Sequence, residues 1–156
     1  MGGLMAKVKS IPEGLNSVTP ALTVEGAADA LAFYARAFGA EELTRVPDPS
    51  GRKVWHAMIR IGNSVIFVND ADPNMGSKPN PSRLWLYGDG VDAAFKRATE
   101  AGGKAKSPPT DMFWGDRVAE VHDRWGNAWV LAQHTRDMTQ AEMKKAQDAF
   151  VASMKK

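Results

Sequence analysis

At 156 residues, 44% of them hydrophobic and 24% charged, the chain has the size and composition of one soluble globular domain. Its 20 basic and 18 acidic residues leave a formal charge of only +2, which speaks against nucleic acid as a partner and for a small molecule or a second subunit. The absence of cysteine removes disulfides, thiolate nucleophiles and zinc–thiolate sites and fits a reducing compartment; with no export-type apolar run in Met1 to Gly14 and no stretch of ~18 apolar residues, a cytoplasmic protein that binds no membrane is expected.

Residues 1–16 read as an N-terminal extension. A strand follows over Val18 to Val24, and Val24-Glu25-Gly26-Ala27-Ala28-Asp29-Ala30 opens a helix. Ala27, Leu31, Tyr34 and Phe38 recur at i, i+4, i+7 and i+11, one apolar stripe that Gly39 ends. Strands are predicted at Glu42 to Val46, Val54 to Ile61 and Ser64 to Val68, with Pro47-Asp48-Pro49-Ser50-Gly51 as a loop. The stretch from Asp70 to Ser82 is dense in Pro, Asn, Asp, Gly and Ser and reads as a linker.

The same order then recurs. Arg83 to Tyr87 is a strand, Gly88-Asp89-Gly90-Val91-Asp92-Ala93-Ala94 opens a helix striped by Val91, Phe95 and Ala98, and Gly102 follows it. Lys104 to Lys106, Arg117 to His122 and Ala128 to Gln133 complete the second set of strands. Sliding the chain on itself by 63 or 64 residues superposes these landmarks, including the turns Gly62-Asn63 and Gly126-Asn127. Each half is therefore βαβββ, and the fold class is α+β. One domain over 17–135 is expected, with repeat one at 17–69, the linker at 70–82 and repeat two at 83–135. A C-terminal helix at 138–155 follows; Thr139 and Glu142 form a capping-box pattern, and Met143, Ala146, Phe150 and Met154 give it an apolar stripe for the domain or a partner.

This duplication resembles the glyoxalase/bleomycin-resistance/dioxygenase group, the vicinal oxygen chelate superfamily. The segments Phe33-Tyr34-Ala35-Arg36-Ala37-Phe38-Gly39-Ala40-Glu41, His56-Ala57-Met58-Ile59-Arg60-Ile61-Gly62 and Phe113-Trp114-Gly115-Asp116-Arg117 are most similar to its PhnB-like branch. The resemblance implies that each half curls a mixed sheet into a half-barrel with the ligand on the concave side, and that a homodimer can complete the pocket. Metal-dependent members take His, Gln or Glu ligands from the first and last strand of each half. The corresponding positions here fall at Thr19, Ile66, Arg83 and Val130, none of which suits a divalent cation, so neither a metal nor another cofactor is expected.

Alternation places Trp55, Ala57, Ile59 and Ile61 toward the helix and Val54, His56, Met58 and Arg60 on the concave side; in repeat two Ala119 and Val121 face the helix and Val118, Glu120 and His122 the cup. His56 and Glu120 are 64 residues apart, so a base and an acid are expected on facing walls, with a general acid–base role or an ion-paired one alongside Arg60, Arg83 and Arg117. A metal at a shifted site built from His56, Glu120 and His122 is a further alternative. Trp114, with Trp125, is a candidate for stacking on a flat ligand, whereas Trp55, Trp85 and Trp129 are expected to pack and His134 to be exposed.

The leading functional expectation is a metal-free protein that binds a small, partly aromatic ligand. Its candidate catalytic residues are His56 and Glu120, and its candidate ligand contacts are Thr19, Met58, Arg60, Arg83, Trp114, Val118 and His122. A metal-dependent lyase, isomerase or transferase and a metal-free acid–base enzyme are the alternatives, so whether the chain is an enzyme stays open at this point.

Overall fold

A computed structural model describes residues 7–155; the first six residues of the N-terminal extension lie outside the described residues. In chain order the elements are β1 (Ala21–Val24), α1 (Ala27–Phe38), β2 (Glu41–Pro47), β3 (Val54–Ile61), β4 (Ser64–Asp70), β5 (Arg83–Tyr87), α2 (Val91–Glu100), β6 (Lys104–Asp111), β7 (Asp116–His122), β8 (Ala128–His134) and α3 (Gln140–Met154). Four strands form one mixed sheet in the order β1-β4-β3-β2, and the other four repeat it as β5-β8-β7-β6. The chain is α+β, with two four-stranded sheets that do not close on one another. Among the described residues no helix is long and apolar enough to cross a membrane.

Both helices of the repeats begin at a glycine in the left-handed conformation, Gly26 and Gly90, without a side-chain cap of their own. The last residue pointing helix-ward on the neighbouring strand does the capping. Asp70 Oδ1 accepts the Gly26 and Ala27 N–H groups at 2.9 Å each, and Gln133 Oε1 accepts the Gly90 N–H at 3.0 Å. A carboxylate at the positive end of α1 also gains from the helix dipole. Asp70, expected to begin the linker, is thus the end of β4, and its other oxygen accepts the Val54 N–H. That bond accompanies a break in the alternation of β3: Val54 is buried and Trp55 is 45% exposed, the reverse of the expected faces.

The strand register also revises how the repeats correspond. The helix-facing pairs are Ala57 with Val68 and Ile59 with Ile66 in repeat one, and Ala119 with Leu131 and Val121 with Trp129 in repeat two. The third strands therefore match at an offset of 62 and the fourth at 63, because the turn Gly62–Asn63 has two residues and its counterpart Arg124–Gly126 has three. His56 corresponds to Val118, and Met58 to Glu120. Likewise Phe67, on the concave side, is the counterpart of Val130, while Ile66 is buried against the helix.

The repeats join through their helices and through one buried carboxylate. Asp123, 6% exposed, accepts Tyr34 Oη at 2.8 Å, Trp129 Nε1 at 2.9 Å and Asn127 Nδ2 at 3.2 Å, together with the N–H groups of Trp125 and Asn127 at 2.9 Å. Around it Tyr34 and Phe38 of α1 pack on the Trp129 ring at 5.1 and 4.4 Å between centroids. Trp125 donates to the Glu25 carbonyl at 3.0 Å and lies 5.8 Å from the Phe33 ring, which places it at the seam between repeats rather than over a ligand face. On the other side of the seam, Arg97 of α2 donates to the Arg36 carbonyl at the end of α1.

The predicted capping box of α3 is present, Thr139 with Glu142, yet the helix has no buried residue. Its apolar stripe meets the domain where Phe150 packs on Phe113 at 5.0 Å.

Replacing Asp123 with Ala strands the hydroxyl, indole and amide donors in the core and is expected to cost about 3 kcal/mol in urea unfolding, against about 1 kcal/mol for Tyr34→Phe, which leaves the carboxylate its other donors. Equal losses for the two variants would contradict this ranking. Burial and the Asp123 charge hold the Tyr34 phenol protonated well above its ordinary 10. The unfolded chain gives up that proton first, so stability should fall as pH rises past about 10 in wild type, and less so in Tyr34→Phe.

Candidate functional site

The concave faces of the two sheets differ in chemistry. In repeat one the face is mainly apolar: the His56 ring lies edge-on to Phe67 at 4.7 Å, beside Met58, and Arg60 reaches outward to Glu41 at 3.4 Å. Thr23 donates to Asn69 at 3.0 Å. Thr19 precedes β1 and is half-buried.

Repeat two carries two polar clusters on one apolar floor. Period-two alternation brings Arg83, Trp85 and Tyr87 of β5, Val130, Ala132 and His134 of β8, and Asp116, Val118, Glu120 and His122 of β7 to the same face, in the register Tyr87 with Ala132 and Glu120 with Val130. Trp85 and Tyr87 stack at 6.1 Å with 28° between planes and remain 43% and 55% exposed. They form a flat aromatic wall over the buried Val130 and Ala132.

At one end of this wall Arg83 Nε lies 3.2 Å from Glu120 Oε1, with its guanidinium over the Trp85 ring at 5.9 Å, and His122 Nε2 lies 3.8 Å from Glu120 Oε2. Of the three arginines expected near Glu120, Arg83 alone pairs with it. Arg117 points to the helix side, bound to Asp92 at 2.9 Å and Asp111 at 3.1 Å, and Arg60 belongs to the other sheet. His56 is not brought to Glu120 either: no strand of the first sheet contacts a strand of the second among the described residues.

At the other end sits a cluster that sequence reasoning missed. Asp116, 4% exposed, accepts Tyr87 Oη at 2.8 Å and Trp114 Nε1 at 3.0 Å on one oxygen and His134 Nδ1 at 2.8 Å on the other. Burial alone would raise the Asp116 carboxyl; the hydrogen bonds from His134, Tyr87 and Trp114 outweigh it and hold the group below the usual carboxylate range. His134 is half-exposed as expected, but its Nε2 meets Asp137 Oδ1 at 2.7 Å. The one available signal was alternation, since Asp116 lies in phase with Glu120, and Tyr87 with Arg83.

The Trp114 loop is held by the chain that follows β8. The Gly115 carbonyl accepts Thr135 N–H and Oγ1 at 2.8 Å each and Arg136 N–H at 3.2 Å. Gly115 has φ +95°, and a Cβ there would lie 2.5 Å from the Arg136 carbonyl oxygen, so only glycine fits. Trp114 is thereby fixed at the edge of the cup with its indole N–H committed to Asp116.

The donor set does not suit a metal. At the positions implied by the resemblance stand a threonine hydroxyl, the Phe67 ring in place of the expected Ile66, the Arg83 guanidinium and the Val130 alkyl group. Among the described residues no group of three His, Asp or Glu side chains is placed to hold an ion, which removes the shifted trio of His56, Glu120 and His122. A separate cleft of about 350 Å³ between α1 and α2 is lined mainly by apolar residues such as Phe38, Ile61, Leu86 and Leu131, with Tyr87, Asp89 and an Arg97 already bound to a carbonyl at its polar positions.

The hydrogen bond to Asp137, then that to Asp116, raises His134 above its ordinary 6.5. A group whose folded value is raised stabilises fully below 6.5 and loses that contribution as pH climbs through the folded value. NMR titration of the His134 ring should give a midpoint above 6.5 in wild type and a lower one in Asp137→Ala; coincident midpoints would show the pairing to be absent in solution.

The sequence profile of the Glyoxalase/Bleomycin resistance protein/Dioxygenase superfamily matches residues 14–131. The uncharacterised protein Mb0911c of Mycobacterium bovis is 38% identical over 139 residues, covering 83% of this chain and 91% of that one, and protein YjdN of Escherichia coli is 27% identical over 136, covering 73% and 92%. Among solved structures, TioX from Micromonospora sp. ML1 superposes with a TM-score of 0.62 at 25% identity, covering 76% of this chain and 99% of that one. A Nocardioides glyoxalase/bleomycin resistance protein/dioxygenase shares the fold at 0.59 and 16% identity, over 88% and 91%. With its duplicated βαβββ sheets and this profile over most of its length, the chain belongs to the glyoxalase/bleomycin resistance protein/dioxygenase superfamily.

Proposed function

We propose that the protein binds a small, partly aromatic molecule without a metal, on the concave face of repeat two, as a homodimer in which a second copy covers that face. The observation that carries the reading is the exposed Trp85–Tyr87 wall over an apolar floor, bounded by Arg83, Glu120 and His122. Flat apolar surface with a few convergent polar groups is what orients a small ligand. Arg83 and His122 supply donors to a ligand oxygen, Val118 extends the floor, and Trp114 closes the far edge.

Exposure motivates the second copy. A sheet with Trp85 and Tyr87 half in solvent is an unfinished cup, and the concave face of repeat one, where Met58 and Phe67 lie among Thr19, His56 and Arg60, is the surface proposed to complete it. Within this reading 17–135 acts as one binding domain, 1–16 and 138–155 flank it, and the helix signature Phe33-Tyr34 through Gly39-Ala40 supports placement in the PhnB-like branch. A glyoxalase-type lyase would need metal ligands that the donor set lacks. Within one chain, acid–base catalysis by His56 and Glu120 lacks a geometric ground, because the sheets that carry them do not meet among the described residues.

Titrating the protein with a panel of planar aromatic metabolites should quench tryptophan fluorescence equally before and after treatment with a chelator, and sedimentation should give twice the chain mass. Trp85→Ala is expected to weaken binding by about tenfold, the worth of one good stacking contact. Binding that appears only on metal addition, or that ignores the loss of Trp85, would overturn the reading.

A further inference from the structure

The end of the aromatic wall opposite Arg83 holds a cation with an unusual arrangement of partners. His134 has a carboxylate on each ring nitrogen, Asp116 at 2.8 Å on Nδ1 and Asp137 at 2.7 Å on Nε2. When both carboxylates are ionised they only accept, so the ring that meets both of them is then the imidazolium. Its two partners are not alike. Asp116 is buried, holds two further donors and is built into β7, whereas the Asp137 side chain is fully exposed, makes no other hydrogen bond among the described residues and lies on the connection to α3 outside its capping box.

The geometry points to His134 Nε2 as an anion subsite of the cup, for the carboxylate of an aromatic acid, with Asp137 as an intramolecular placeholder that the ligand displaces. Tyr87 Oη and His134 Nδ1 converge on the two oxygens of one carboxylate, so the Trp85–Tyr87 wall ends beside the cation. A ring lying on that wall brings a carboxylate to Nε2 with stacking that Asp137 lacks. Asp137 in turn is readily released, since its own carboxylate is fully exposed, and solvent and salt screen its pairing with the half-exposed His134. Asp116 is then a positioning residue: it fixes the ring and its charge while the exchange takes place on the other nitrogen.

This inference rests on the concave face of repeat two being the ligand site, and benzoate and its neutral isostere benzamide separate the two ideas. Fluorescence titrations are made on wild type, Asp137→Ala and the double variant Asp137→Ala/His134→Gln, each checked for fold by circular dichroism. Asp137→Ala should bind benzoate about two- to fivefold tighter than wild type, the gain expected when an exposed ion pair stops competing, with benzamide unchanged and the gain lost in the double variant. Benzoate should also shift the His134 ring resonances in Asp137→Ala. Equal benzoate affinity in wild type and Asp137→Ala, or a gain that survives loss of His134, overturns the subsite. If benzamide still binds in that event, the cup reading stands without it; if neither probe binds any of the proteins, both fall.

Discussion

The Asp123 carboxylate is the constraint on which the rest of the molecule depends. It sits in the turn between β7 and β8 of repeat two, yet one of its donors is a tyrosine from the helix of repeat one. Five hydrogen bonds satisfy it in a core that otherwise holds aromatic and aliphatic side chains, the condition under which a buried charge is tolerated. The extra residue of that turn makes this possible. In repeat one the corresponding position is Ile61, which packs as an ordinary core residue and carries no polar partner. By tying the back of repeat one to the turn of repeat two, Asp123 sets the repeats helix to helix and leaves both concave faces outward.

The same extra residue explains what could and could not be read from the sequence. Helix stripes, terminal glycines, the capping box and the order of strands were legible, because each rests on local spacing. Equivalence across the repeats was not. Gly62-Asn63 and Gly126-Asn127 look alike and invite alignment at 64, but Asn127 already belongs to the return of the longer turn, where its carbonyl receives the Asp123 N–H. A slip of two in a strand keeps the inward and outward faces correct while mispairing the residues on them. His56 and Glu120 were each rightly set on a concave face and wrongly set opposite one another. For Ile66 the slip was one, and it moved an interior residue to the ligand side.

The Asp116 cluster was hidden for a different reason. Its members come from β5, the Trp114 loop, β7 and β8, and meet only because parallel and antiparallel registers bring Tyr87, Ala132 and Val118 abreast, with Asp116 facing His134. No spacing in the sequence encodes that. Once buried, the aspartate needs donors, and the phenol, indole and imidazole abreast of it supply them.

Duplication has left one frame with two surfaces. Repeat one presents Phe67 on its last strand and Ala21 and Thr23 on its first, where repeat two presents Val130 and then Trp85 and Tyr87, so the bulk moves from the last strand to the first. Charge follows the same division. Arg83 and His134 lie at opposite ends of the second face, Arg83 paired with Glu120 and His134 with Asp116 and Asp137, so each basic group already has its carboxylate partners. Glu120, Asp116 and Asp137 are thereby committed to basic side chains, which fits the finding that no three His, Asp or Glu side chains among the described residues are placed to share a cation.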